Sequence, residues 1–234
     1  MIIVRKASER GITKNEWLTS FHTFSFGGYV DSKHQRFCSL RVINEDYIAP
    51  GAGFPSHSHQ NMEIMTYIIS GELAHKDDMG NHSVIKSGEV QFMRAGSNVT
   101  HSEFNPSETM GTHLLQIWVI PNEKELAPQY AQKFYTVSDK KDKFCLLADS
   151  KGTNGVFKIA QKVAIYASIL EKSSLEYQVK NNTHLWLQVV HGTLNLNGVT
   201  LIKGDGVGIQ QETLLKFSTP ETAEFLLFDF DPMD

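Results

Sequence analysis

The chain has 234 residues, 41% of them hydrophobic and 21% charged, with a formal net charge of −4. That length and apolar content suffice for one large domain or two of ordinary size, each with a true core. The slight acidic excess, with no basic stripe and no helix-turn-helix or zinc-finger pattern, gives nucleic-acid binding no electrostatic support.

Short β-like runs succeed one another from end to end. Residues 37–43, 62–69, 90–93 and 113–120 come first, and 163–170, 185–190, 193–196 and 225–230 follow. Clusters of Gly, Asn, Asp and Pro separate them at the spacing of an all-β barrel or sandwich. One short helix is predicted over residues 122–130, after Pro121 and before the limit set by Pro128. A weak internal repeat runs through the strands. Ile68-Ile69-Ser70-Gly71-Glu72-Leu73 resembles Val189-Val190-His191-Gly192-Thr193-Leu194, and a second glycine turn follows each, at Gly88 and Gly204. Asn197-Gly198 is a strong hairpin signal, because both central residues tolerate positive φ. The expectation is an all-β fold of two tandem antiparallel β-barrels with a few short helices. The first barrel covers 1–133, a polar linker 134–155, and the second barrel 156–234. The charge run Asp139-Lys140-Lys141-Asp142-Lys143 reads as solvated loop.

Cys38 and Cys145 lie far apart in sequence and are expected as separate buried thiols in a reducing cytosol rather than a bridge. No basic-then-apolar leader opens the chain, and no stretch approaches a membrane span. A cytoplasmic protein without membrane attachment is expected.

The chemistry concentrates in His57-Ser-His59 and His101-Ser-Glu103. Residues i and i+2 of a strand point to one face, so each pair aims at one point. Three imidazoles and a carboxylate suit a divalent transition metal such as Fe, Mn, Co, Ni, Cu or Zn, and the donor types alone do not choose among them. Four protein ligands on one side of an octahedral ion leave two open positions, which catalysis requires. Glu63 is expected beside the ligands, steadying an imidazole through its other nitrogen. His22, in the apolar run 21–26, reads equally as a wall of the site mouth or as a packed histidine. His75 and His113 read as structural, and His34 and His82 as solvated loop residues. Met62, Met65, Met93 and Phe92 read as core or pocket wall, core being favoured. Matching the repeat glycines puts Gln178, Lys180 and Phe217 opposite His57, His59 and His101, so the second barrel has no ligand set.

These residues carry a family resemblance. Gly51-Ala-Gly-Phe-Pro-Ser-His57-Ser-His59, with Glu63 and Gly71, resembles the first cupin motif; Gly88-Glu-Val-Gln-Phe-Met, with Ala95-Gly96, His101 and Asn105, resembles the second. The wider pattern resembles the pirin branch of the cupins: Trp17, the run 22–27, Met62-Glu63, Thr66-Tyr67, His75-Lys-Asp, Gly80-Asn81 and Gln91. It is most similar to the bacterial pirin-like proteins with quercetin 2,3-dioxygenase activity. His59 and Glu63 stand one residue closer than in most cupins, and the pirin pattern takes its carboxylate ligand from the second motif, here Glu103.

The resemblance implies a bicupin of jelly-roll type whose N-terminal barrel holds one metal, Fe(II), on His57, His59, His101 and Glu103. It implies a dioxygenase that opens a flavonol such as quercetin with dioxygen and releases carbon monoxide, Glu103 taking the proton of the 3-hydroxyl. An apolar mouth lined by aromatics and methionines would receive the flat polyphenol. Animal pirins imply an alternative: a metal- or redox-responsive regulator that binds a protein partner without turnover.

Overall fold

A computed structural model of the chain describes residues 1–180 and 183–231. Nearly every predicted β run is a strand, and the chain divides into two compact units. One comprises residues 11–135, the other residues 1–10 together with 136–234.

The first unit consists of two open sheets of jelly-roll type. Seven strands lie in the order Gln129–Phe134, Glu89–Arg94, Glu63–Ser70, Thr112–Val119, Leu40–Ile48, Leu18–His22 and Gly11–Lys14. Four strands form the other, in the order Gly53–His59, Val99–Phe104, Glu72–Asp77 and His82–Lys86. All the pairings between these strands are antiparallel. The strand Glu63–Ser70 is buried on both faces through Ile68, which explains its unbroken apolar reading. Leu18, Ile48, Ile68, Leu73, Ile85 and Leu114 form one core cluster, and Ile64, Met93, Ala95 and Val99 another. Each of the larger aliphatic side chains among them contributes roughly 1.5–3 kcal/mol by leaving water. Met65, Met93 and Phe92 are fully buried core residues, as expected.

In the second unit the long strand His184–Leu196 joins two ladders. Its first half pairs with Gly206–Ile209 and Thr222–Phe230, its end with Val199–Ile202 and Leu214–Ser218. The two halves of the sequence repeat do the same local work. Gly71 and Gly192 sit at φ 77° and 76°. A Cβ there would lie 2.6 Å from the Gly111 carbonyl oxygen and 2.0 Å from that of Thr222. Asn197 and Gly198, at φ 48° and 88°, make the expected hairpin turn.

Four expectations are corrected. Residues 122–130 are not helical: 122–128 are irregular, and Gln129 opens a strand. Three charges in 123–125 and Pro128 leave no apolar face to bury. Tertiary hydrogen bonds hold the segment instead, from Glu125 N–H to Asn61 Oδ1 (2.6 Å) and from Ser97 N–H to the Leu126 carbonyl (3.0 Å). Residues 134–155 are not a linker, since the change of unit falls after Tyr135 and Cys145–Asp149 is a strand paired with Val163–Glu171. The charge run is not a solvated loop throughout. Thr136 caps the helix Val137–Lys140, and Lys140 is buried with its ammonium 3.0 Å from Glu224. Residues 1–10, expected in the first barrel, belong to the second unit, where Ile2–Arg5 pairs with Gly206–Ile209.

No disulfide joins Cys38 and Cys145, and both are half-buried rather than buried. Among the described residues no helix is long and apolar enough to cross a membrane.

Candidate metal centre

The two ligand-bearing strands are neighbours in the four-stranded sheet. His57 pairs directly with His101, and Val99 with His59. Between the pairs His101↔His57 and Glu103↔Phe54 the register shifts, so two residues, Pro55 and Ser56, face one. This is a β-bulge on an edge strand, where proline is tolerated because no ladder donor is needed. It keeps His57 and His59 on one face while Glu103 comes opposite Phe54. The Pro55 carbonyl also accepts a hydrogen bond from His57 Nδ1 (2.8 Å), which turns His57 Nε2 toward the centre.

The three imidazoles converge. Nε2 of His57 and Nε2 of His101 are 3.1 Å apart, and the His59 ring lies 4.8 Å from the first and 4.9 Å from the second. Potential ligand atoms of all three lie within 4.8 Å of one another. Those of His75, His101 and Glu103 form a second such group, so His101 belongs to both. Glu103 thus reaches the imidazole cluster through His101, and it lines the same cavity as His57 and His59. Its carboxylate is buried and accepts from two amides, Gln91 Nε2 (3.2 Å) and Gln116 Nε2 (2.6 Å). Burial, reinforced by the neighbouring histidines, lowers His59 to about 4 and His101 to about 3. Both rings are therefore neutral near pH 7, the form that binds a cation. Neutral imidazoles with a buried carboxylate are a fitting donor set for a divalent transition metal.

The polar residues around this centre are held by neighbouring groups. Glu63 is fully buried and pairs with Arg94 at 2.8 Å; the Pro55 carbonyl accepts from His57, and His75 meets His101. His75 is no isolated structural residue, because its Nδ1 meets His101 Nδ1 (3.4 Å) and its Nε2 meets Asp77 Oδ2 (3.0 Å). His22 lines the cavity with both nitrogens engaged, Nδ1 donating to Asn44 Oδ1 and Nε2 accepting from Thr13, each at 2.8 Å. His113 is structural, 2.9 Å from Glu45 and stacked on Tyr47. His34 bonds Asp31 at 2.9 Å, and His82 is an exposed strand residue rather than a loop residue.

A cavity of about 370 Å³ opens beside the imidazoles. Leu18, Phe26, Phe54 and Trp118 give it an apolar side, with the Trp118 ring packed edge-on against His59 at 4.8 Å. Ser20, Asn44, Asp46 and Gln116 give it a polar stripe that the motifs did not reveal. Asn44 and Asp46 alternate along Leu40–Ile48, so both face inward, and their placement in a polar triplet within an apolar strand is the signal that could have found them.

Among the described residues the second unit shows no equivalent. Phe217 pairs with Leu175 and Leu215 with Tyr177. With Phe217 at the His101 position, Leu175 and Tyr177 stand where His57 and His59 do, so the repeat-based match to Gln178 and Lys180 was out of register.

Residues 4–119 match the family described as Pirin, and residues 146–230 the family described as Quercetinase C-terminal cupin domain. The chain is 39% identical to the quercetin 2,3-dioxygenase of Escherichia coli strain K12 over the full length of both. It is 34% identical to a pirin-like protein of Caulobacter vibrioides over 97% of this chain and 99% of that one. The crystal structure of the bacterial pirin YhhW from Escherichia coli in complex with nickel(II) superposes with a TM-score of 0.94, at 38% identity and complete coverage of both chains. Similarity that runs end to end, through a jelly-roll unit carrying the histidine pairs and a second carrying none, places the chain in the pirin family of cupin proteins.

Proposed function

We propose that this chain is a metal-dependent dioxygenase that cleaves a flavonol such as quercetin. The observation that carries the reading is the convergence of His57, His59 and His101, with Glu103 beside them, at the edge of a mainly apolar cavity. The names of the relatives support it. His57, His59, His101 and Glu103 would hold the ion, Fe(II) in our reading, which supplies Lewis acidity toward the substrate oxyanion and a redox partner for dioxygen.

The remaining roles belong to the protein. Glu103 accepts the proton of the flavonol 3-hydroxyl, since it alone combines a carboxylate with a place at the imidazoles and the cavity. Gln91 and Gln116 fix that carboxylate with one amide hydrogen bond to each oxygen. Phe26, Phe54 and Trp118 offer ring faces and edges to a flat polycycle and keep water from its apolar surface.

The test is anaerobic loading with Fe, Mn, Co, Ni or Cu in turn, followed by dioxygen uptake and carbon monoxide release with quercetin. Turnover is expected with at least one metal. His59→Ala should lose most metal and activity while the protein stays folded. Glu103→Gln should keep part of the metal and lose turnover by 10²-fold or more, on the scale of general base catalysis. No turnover with any metal would sink the dioxygenase assignment. Intact quercetin, together with a protein partner whose affinity follows the oxidation state of iron, would favour the regulatory alternative.

A further inference from the structure

The cavity holds a carboxyl group that the reading above does not use. Asp46 sits at the middle of the seven-stranded sheet, opposite Ser20 on one neighbouring strand and Leu114 on the other. It is only 2% exposed, yet it lines the cavity shared by His57, His59 and Glu103. The Ser20 hydroxyl bonds the carboxyl group, while Oδ1 has no hydrogen-bond partner. No cation is paired with Asp46 among the described residues. A buried carboxyl kept for structure alone is paired or fully hydrogen-bonded. One that is left half-satisfied at a cavity wall costs stability and is retained where a ligand completes it. Burial, with the charges of Glu103 and Glu45 acting the same way, pushes the Asp46 carboxyl up to about 7. At neutral pH it can therefore either accept a hydrogen bond or donate one.

We infer that Asp46 is a substrate-binding and specificity-determining residue whose carboxyl group takes a phenolic hydroxyl other than the one Glu103 deprotonates. This rests on the flavonol reading and deepens it. The favoured class is then a flavonol with additional ring hydroxyls, since a flavonol bearing the 3-hydroxyl alone leaves the carboxyl group half-satisfied. The neighbouring polar stripe of Ser20, Asn44 and Gln116 lies on the same inward face of the sheet and suits a hydroxylated ring, while Phe54 and Trp118 suit its faces.

The experiment compares quercetin with 3-hydroxyflavone, which carries only the 3-hydroxyl, on protein loaded with Zn(II) so that binding is read without oxidation. Wild type should bind quercetin about tenfold more tightly than 3-hydroxyflavone, the scale of one hydrogen bond to an ionisable group. Asp46→Ala should erase that preference by weakening quercetin alone. Asp46→Asn, which keeps a hydrogen-bonding group, should restore part of it. Zinc content and thermal midpoint are measured on each variant, and both should match or exceed wild type. Equal weakening of the two ligands, no change for either, or loss of zinc would make Asp46 structural and overturn the inference. Wild type that binds neither compound would instead bring down the flavonol reading, and this assignment with it.

Discussion

Asp77, His75 and His101 form a chain of hydrogen bonds whose polarity follows from its acidic end. Burial alone would push the Asp77 carboxyl up, but hydrogen bonds from His75 and Asn81 hold it below the usual range, so it is an acceptor. His75 Nε2 must then carry its proton, leaving Nδ1 to accept from His101 Nδ1–H and His101 Nε2 free to bind a cation. Asp77→Asn offers an amide donor that can reverse the chain and move the His101 proton to Nε2. The expected result is a metal affinity lowered by about 10–100-fold, measured by competition with a chelator, with little change in the unfolding transition. An unchanged affinity would show that the hydrogen-bonded chain does not orient His101. Asp46 gives a second, opposite expectation for stability. Its folded carboxyl lies at about 7 against an ordinary 3.8, so the native state holds this proton more tightly than the unfolded chain does. The contribution is intact below pH 4 and is lost as pH rises through 7, amounting to at most about 4 kcal/mol. Asp46→Asn should therefore gain stability over metal-free wild type between pH 4 and pH 8. Urea titrations at the two pH values decide it, and a constant difference would refute the linkage.

The strand pair Gly53–His59 and Val99–Phe104 carries every proposed ligand, so its spacing governs the site. Gly53 lies against Phe104 in the ladder, and a Cβ there would come 2.2 Å from the Glu103 carbonyl oxygen and 2.5 Å from Phe104 Cα. Both are backbone atoms that cannot swing aside. Gly53→Ala should push the strands apart, lower stability by about 1–3 kcal/mol and weaken metal binding in parallel. Thermal unfolding and metal titration on the same sample test this; a destabilised variant with wild-type metal affinity would separate the ladder from the site. This element also marks what was legible in advance. The i, i+2 histidines were readable because a strand's two-residue period alone sets which side chains share a face. The bulge at Pro55 and Ser56 was not, since a one-residue shift shows only against a partner strand. Asp46 escaped for a related reason. Within Asn44-Glu45-Asp46 the alternation assigns faces, but only packing tells which face meets a cavity. The supposed helix at 122–130 failed because charge pattern and proline placement were weighed without the tertiary hydrogen bonds that claim Glu125 and Leu126.

Two units of related design have taken different courses from the same hairpin plan. In residues 11–135 the paired strands bear histidines and open a cavity; in the other unit the corresponding ladder bears Leu175, Tyr177 and Phe217. Phe217 stacks on Phe225 at 4.9 Å and meets Phe144 edge-on at 5.7 Å, so apolar contacts fill the place that the proposed ligands occupy in the first unit. Phe217 is 1% exposed within a cluster that includes Leu196, Leu215 and Phe225. The Tyr177 hydroxyl is also committed, donating to Asp229 at 2.6 Å. The carboxylate of this ladder, Glu176, is exposed and pairs with Lys216 on the face opposite Leu175 and Tyr177. The whole chain should therefore bind one transition-metal ion, and the two units should answer differently to mutation. Phe217→Ala should cost about 3–5 kcal/mol through cavity formation, yet leave one ion per chain at conditions where the protein remains folded. His101→Ala should remove the ion at a smaller cost in stability, because the lost ring contacts the polar rings of His57 and His75 rather than an apolar core cluster. Elemental analysis beside urea denaturation of the two variants reads both quantities. A second ion in wild type, or an ion lost from folded Phe217→Ala, would mean that the aromatic-filled unit takes part in metal binding after all.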